Sequence, residues 1–226
     1  SSAASDVYKR QVINYHFVLE APVLIDDYLK SVGRELYFQE NDKFSAANKI
    51  ARFLFKFFTA DSDITISFGQ CMDIFGNRVD DEGNSVDSLG KVIDLGAYFR
   101  SEGKLTKDPQ RDSEYTKITG EKIVEAFHKE NVVLTSHLVA YTAFEMLREQ
   151  NPDLDLYTLM RLPGEERKIN YQAFCKVIDQ LLEVLKTLRD EGKLHLSEEL
   201  LEGTNKIIEH ALNNLGIYHH HQVLYI

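Results

Sequence analysis

Two kinds of hydrophobic spacing run along the chain, and they change over near residue 103. In the first half the signals are short. Residues 12–19, VINYHFVL, form a near-continuous apolar run that reads as a buried strand, and Ile64-Thr65-Ile66-Ser67-Phe68 alternates strictly, as a strand with one apolar face does. Between them, residues 22–30 suit a short helix with Pro22 in its first turn, where a missing N–H costs nothing, and residues 45–58 suit a longer helix capped by Ser45. Gly76-Asn77, Glu82-Gly83-Asn84 and Leu89-Gly90 mark turns, read as a run of polar turns in a chain with no internal repeat. In the second half the apolar positions recur at helical spacing. The pattern predicts helices over residues 119–131 and from Thr135 or Ser136 to Gln150, stopping before Pro152. A third helix is capped by Asn170, carries Phe174, Val177, Ile178, Leu181, Leu182, Leu185 and Leu188 on one stripe, and ends at Gly192. A fourth is capped by Ser197, buries Leu200, Leu201, Ile207, Ile208, Ala211, Leu212 and Leu215, and ends at Gly216. Residues 218–226 read as strand-like.

Composition narrows the function classes. The chain has 226 residues, 43% of them hydrophobic, which is enough for one large domain or two small ones with a real core. A formal net charge of −10 excludes a general nucleic-acid surface, which needs clustered Lys and Arg to displace counterions. Helices followed by a strand-like tail could otherwise suggest half of a winged helix. Residues 170–226, however, hold 5 Lys and Arg against 8 Asp and Glu. Cys71 and Cys175 stand in no metal-type spacing and read as reduced packing residues, so the chain reads as cytosolic. No apolar run approaches the roughly 20 residues that span a bilayer. The first eleven residues, SSAASDVYKRQ, resemble a translated sequencing-adapter scar and are set apart from the fold.

The strand Ile64–Phe68 runs into Gly69 and then into Phe75-Gly76-Asn77. Together with Tyr15, Val18 and Glu20 upstream, it resembles the close of the catalytic domain in the glycerol-3-phosphate acyltransferase branch of the glycerolipid acyltransferases. Phe68-Gly69-Gln70 is similar to that family's F-G-E-P, with Gln70 and Cys71 standing in place of the Glu and Pro. Residues 131–140, NVVLTSHLVA, resemble the segment that opens the family's helical C-terminal region. The resemblance implies an α/β remnant of an acyltransferase domain over residues 12–102, followed by a mainly α-helical C-terminal domain, truncated, over residues 112–226, with 1–11 non-native. It implies a parent enzyme that moves a fatty acyl group from an acyl thioester to the sn-1 hydroxyl of glycerol 3-phosphate in phospholipid biosynthesis. The donor would be acyl-CoA or acyl-ACP, with no cofactor bound, and the site of action would be the cytoplasmic face of the cell membrane. The alternatives are a 1-acylglycerol-3-phosphate acyltransferase and a non-catalytic helical interaction module.

The family's chemistry uses a His as general base on the acceptor hydroxyl and an Asp five positions later to orient it. Five positions after His16, His128, His137, His195 and His210 stand Ala21, Val133, Thr142, Leu200 and Leu215, and after His219 to His221 stand Leu224, Tyr225 and Ile226. None is acidic, and no E-G-T-R-S-like acceptor block is present, so no catalytic residue is assigned and the chain alone is expected to be inactive. On residues 45–58, Lys49, Arg52 and Lys56 share a narrow stripe beside a wide arc that includes Phe53 and Phe57. Lys49, Arg52, Phe53, Lys56 and Phe57 are therefore the candidate membrane contact, in the manner of an interfacial helix on anionic lipid; a core helix with snorkelling Lys stems is the competing reading. Asp80, Glu82, Gly83 and Asp87 resemble a calcium loop only loosely. Aligning Gly83 with the loop's glycine puts Arg78 at the first ligand position, so a polar turn is the better reading. His137, at a helix start, reads as a capping residue.

Overall fold

The computed structural model describes residues 11–16, 64–160 and 162–215, together with 24, 27, 28, 30 and 31. The fold is mixed α/β, mostly helical with small two-stranded sheets. Among the described residues the strands are β1 (Gln11–Tyr15), β2 (Ile64–Phe68), β3 (Arg78–Val79), β4 (Ser85–Val86), β5 (Arg100–Ser101), β6 (Lys104–Leu105), β7 (Val132–Val133) and β8 (His195–Leu196). The α-helices are α1 (Pro109–Glu130), α2 (Thr135–Gln150), α3 (Leu156–Met160), α4 (Tyr171–Asp190) and α5 (Thr204–Asn214). Two compact units share the chain, one made of Ser1–Asn14, Thr65–Val132 and Leu188–His195, the other of Tyr15–Ile64, Val133–Thr187 and Leu196–Ile226.

The first unit carries a device the turn signals only hinted at. Asp73, Asp80 and Asp87, seven residues apart, each open the same hairpin. The N–H of the glycine three positions on (Gly76, Gly83, Gly90) donates to the Asp carbonyl at 3.0, 3.1 and 3.0 Å. The Asp N–H donates to the carbonyl four positions on (Asn77, Asn84, Lys91) at 2.9, 3.0 and 2.9 Å. The N–H of that fourth residue returns a bond to the Asp carboxylate at 2.8, 2.7 and 2.9 Å. This is a type I turn closed by a left-handed residue, and the three glycines take φ of +73°, +86° and +80°, where a Cβ would be strained. The hairpins share strands. Met72 bridges to Arg78, Arg78 and Val79 pair antiparallel with Val86 and Ser85, and Val86 bridges to Val92. Met72, Val79 and Val86 consequently recur at one buried position per hairpin. The chain thus contains a sevenfold-spaced internal repeat, contrary to the expectation of none. The repeat is short and its apolar signal is one residue per copy, which reads as isolated turns when each is taken alone.

Asp94 opens a fourth, altered copy. Its carboxylate accepts from the Gly96 N–H at 2.9 Å and ion-pairs with Arg100 at 2.7 Å, starting a 3-10 helix over Leu95–Phe99. Phe75 from the first hairpin stacks on Tyr98 with ring centroids 4.2 Å apart and meets Tyr115 edge-on at 5.4 Å, which fastens the repeat to α1. The Thr119 hydroxyl and the Lys122 ammonium add bonds to the carbonyls of Ile74 and Phe75 at 3.0 and 3.3 Å. Helix α1 begins ten residues before the predicted start. Asp108 caps it, accepting from the Gln110 and Arg111 N–H groups at 3.1 Å each, and Pro109 supplies the first helical residue. The start was missed because residues 109–118 carry few apolar residues.

The core of the second unit joins Leu138 and Val139 of α2, Phe174, Ile178 and Leu182 of α4, Leu200, and Ile207, Ile208 and Ala211 of α5. Helix α2 matches its predicted bounds. Helix α4 does too, with Asn170 Oδ1 accepting from the Ala173 N–H at 3.0 Å. The predicted fourth helix is split. Glu198–Leu201 is a 3-10 turn, Gly203 takes φ +99°, and α5 starts only at Thr204. Of the strand expected over residues 12–19, the described part is β1, with 17–19 lying outside the described residues; β1 is not a buried strand, since Ile13 and Tyr15 are exposed while Asn14 is buried. Strand β2 has the predicted bounds and the predicted alternation, and its apolar side is the outward one: Ile64, Ile66 and Phe68 are 67%, 49% and 56% exposed.

Candidate functional site

The inward, polar side of β1 and β2 meets the end of α1 in the first unit. The Ser67 hydroxyl donates to Glu130 Oε2 at 3.0 Å, and His195 Nε2 stands 3.7 Å from the same oxygen. Asn14, with its amide turned so that both atoms are satisfied, donates to Asn131 Oδ1 at 2.8 Å and accepts from the Val132 N–H at 3.2 Å. Glu130 is the last residue of α1, where the helix dipole disfavours a carboxylate. The Ser67 hydroxyl offsets part of that penalty. Gly69 leaves room for it, because a Cβ there would lie 3.1 Å from Glu130 Cγ.

A denser polar group surrounds the first turn of α2 in the second unit. His16 Nδ1 lies 3.0 Å from Ser136 Oγ, and His210 Nδ1 lies 2.8 Å from Thr135 Oγ1. The two imidazoles meet edge to face with centroids 5.2 Å apart. His137 closes the turn, its Nδ1 accepting from the Leu134 N–H at 3.3 Å, which is the capping role expected of it. Its imidazole also bonds the Tyr15 backbone. Burial holds this imidazole below its ordinary value of 6.5, and the Tyr15 bond opposes that only in part. Glu199, on the 3-10 turn, is the carboxylate of the group. Burial raises it, but the bond from its own backbone N–H and the charges of His210 and His16 pull it below the usual carboxylate range. Asn214, one turn beyond His210 on α5, donates to the His210 carbonyl at 3.0 Å and is itself buried.

Ser136, His16 and Glu199 are the residue types of a hydrolytic triad, but Ser136 is 1% exposed, so its hydroxyl does not reach a substrate. What the arrangement shows is His16, His137 and His210 gathered by hydrogen bonds on one helix terminus. The Asp-turn repeat is likewise spent internally, each carboxylate being taken by amides of its own hairpin. Among the described residues no group of three or more His, Cys, Asp or Glu is arranged to hold a metal ion. Cys71 and Cys175 are both free thiols.

Lys49, Arg52, Phe53, Lys56 and Phe57, the candidate membrane contact, lie outside the described residues, as do residues 218–226 with His219 to His221. Among the described residues no helix is long and apolar enough to cross a membrane. The His16–His210–Glu199 group has no signature in linear spacing, since its members lie far apart along the chain. The available signal was a polar residue on an apolar stripe: His210 and Asn214 share a helical face with Ile207 and Ala211. No family model, no curated protein and no solved structure matches the chain.

Proposed function

We propose that this chain is part of a glycerol-3-phosphate acyltransferase-like protein, working at the cytoplasmic face of the membrane on an acyl-CoA or acyl-ACP donor and glycerol 3-phosphate. The observation that carries the reading is the run from β2 through Gly69 into the Asp73 hairpin, the strand and F-G-N loop that close the catalytic domain in that family. A sheet of two strands with Ile64 and Ile66 turned to solvent fits the reading as well. Isolated two-stranded ribbons are marginal, and an α/β layer ordinarily covers such a face. The residues in hand supply no His and Asp at the catalytic spacing, so in this reading the general base comes from outside them.

The test is to read the source DNA adjoining the codon for Val12, and to assay the longer product beside the chain alone. Labelled glycerol 3-phosphate with either thioester should yield lysophosphatidate with the longer protein and none with the chain. Turnover of lysophosphatidate instead would move the reading to the second acylation. Natural sequence without an H-x-x-x-x-D motif, and no turnover of either acceptor, would sink it and leave a helical interaction module.

A further inference from the structure

We propose that the tip of the third hairpin, Ser88-Leu89-Gly90, is a docking site for a helix of a partner protein, one that presents an aromatic ring, a hydroxyl and a Lys at positions i, i+4 and i+7. This chain makes such a contact itself, at the first hairpin. There α1 carries Tyr115, Thr119 and Lys122 on one helical face, against the tip Ile74-Phe75-Gly76. Tyr115 meets Phe75 edge-on, the Thr119 hydroxyl donates to the Ile74 carbonyl, and the Lys122 ammonium donates to the Phe75 carbonyl. The Lys122 stem lies so close over Gly76 that a Cβ there would stand 2.5 Å from its Cδ.

The third tip repeats the receiving half of that contact. Its turn is built on the same bonds, from the Gly90 N–H to the Asp87 carbonyl at 3.0 Å and from the Lys91 N–H to the Asp87 carboxylate at 2.9 Å. The Ser88 and Leu89 carbonyls thus take the places of the Ile74 and Phe75 carbonyls, and among the described residues neither accepts a bond. Leu89 stands at the position of Phe75 and is 91% exposed, the most of any large apolar side chain described. A Cβ on Gly90 would meet nothing within 4 Å, where Gly76 has its lysine. The second tip differs, since Asp81 and Glu82 give it no apolar anchor. A single exposed Leu is ordinary; the two bare carbonyls and the open glycine beside it are what match the docked tip.

The first and third tips also share one end of the ladder. Residues 71–72, 78–79, 85–86 and 92–93 pair antiparallel in succession, which sends the second turn to the opposite end. Two strand spacings, about 10 Å, separate the first tip from the third. That is the distance between the axes of packed helices, so a helix on the third tip fits beside one on the first. This inference stands whether or not the acyl-transfer reading does.

The probe is a synthetic peptide of residues 109–130, held helical by a lactam between its Lys117 and Glu121, titrated onto the full chain with labelled backbone amides. The amides of Ser88, Leu89, Gly90 and Lys91 should shift and saturate. The same peptide carrying T119V and K122M should bind about tenfold more weakly or worse. The chain carrying L89S, a change at a side chain that lies in solvent, should lose binding by a similar factor. No shift at the third tip up to about 1 mM peptide overturns the proposal. So does equal binding by L89S, and so do shifts confined to residues 74–77, where the peptide merely replaces the chain's own α1. Shifts at Ser88 to Gly90 that grow with chain concentration alone put a second copy on the tip and overturn the helical partner.

Discussion

Asp73 and Asp80 do the same job in adjacent hairpins, and their surroundings make them differ. Asp73 is fully buried and accepts from the Phe75 and Asn77 N–H groups and from the Asn77 amide at 2.8, 2.8 and 3.0 Å. Removing it leaves buried donors without partners, so D73A should cost about 3 kcal/mol, read as a lower urea midpoint. D80A exposes the same donors to water and should leave the midpoint nearly unchanged. The glycines divide similarly. A Cβ on Gly76 would come within 2.5 Å of Lys122 Cδ, whereas one on Gly83 meets nothing within 4 Å. Both sit at positive φ, so G83A should cost roughly 1 kcal/mol for strain alone, and G76A more, as it also displaces a side chain that bonds the Phe75 carbonyl.

Helix ends carry the element-scale energetics. D108A should cost about 1 kcal/mol and loosen only the first turn of α1, seen as faster amide exchange at Gln110 and Arg111. At the start of α2 the cap is a titratable one. The His137 imidazole is held below its ordinary 6.5 by burial, so the unfolded chain takes up its proton first as pH falls. Its contribution to stability is present above that value and is lost as pH falls through the window down to the depressed one. H137Q can still accept from the Leu134 N–H without titrating, so its melting temperature should depend less on pH in that window. Elements with a long apolar stripe were readable from the sequence: α2 and α4 fall at their predicted bounds because their cores are written at i, i+3 and i+4. Helix α1 was half hidden because its early turns pack through Arg111 and Tyr115 on Phe99 and Phe75, contacts that leave no apolar periodicity. The split before α5 was hidden because one Gly, Gly203, changes the chain direction while the hydrophobic pattern runs on.

At the scale of the whole molecule, what could not be read was which side of each strand faces inward. Alternation in β2 announces an apolar face, and the usual inference turns that face to the core. Here the polar face, Ser67 beside Glu130, turns inward, and Ile64 and Ile66 turn out. The histidine group showed in the sequence only as His210 on the apolar stripe of α5, because its members lie 120 and 75 residues from their hydroxyl partners and only folding joins them. The outward apolar face also gives the acyltransferase reading a test of its own. In this chain Ile64 and Ile66 are already exposed, so I64K/I66K should leave the unfolding free energy within about 0.5 kcal/mol of wild type and lower self-association and dye binding. In a longer protein whose catalytic half covers that face, the same pair would bury two uncompensated charges, and both folding yield and acyl transfer should collapse. If the longer protein tolerates the double substitution with full activity, then the face is not where a catalytic half docks. The strand would then keep its apolar side for some other contact.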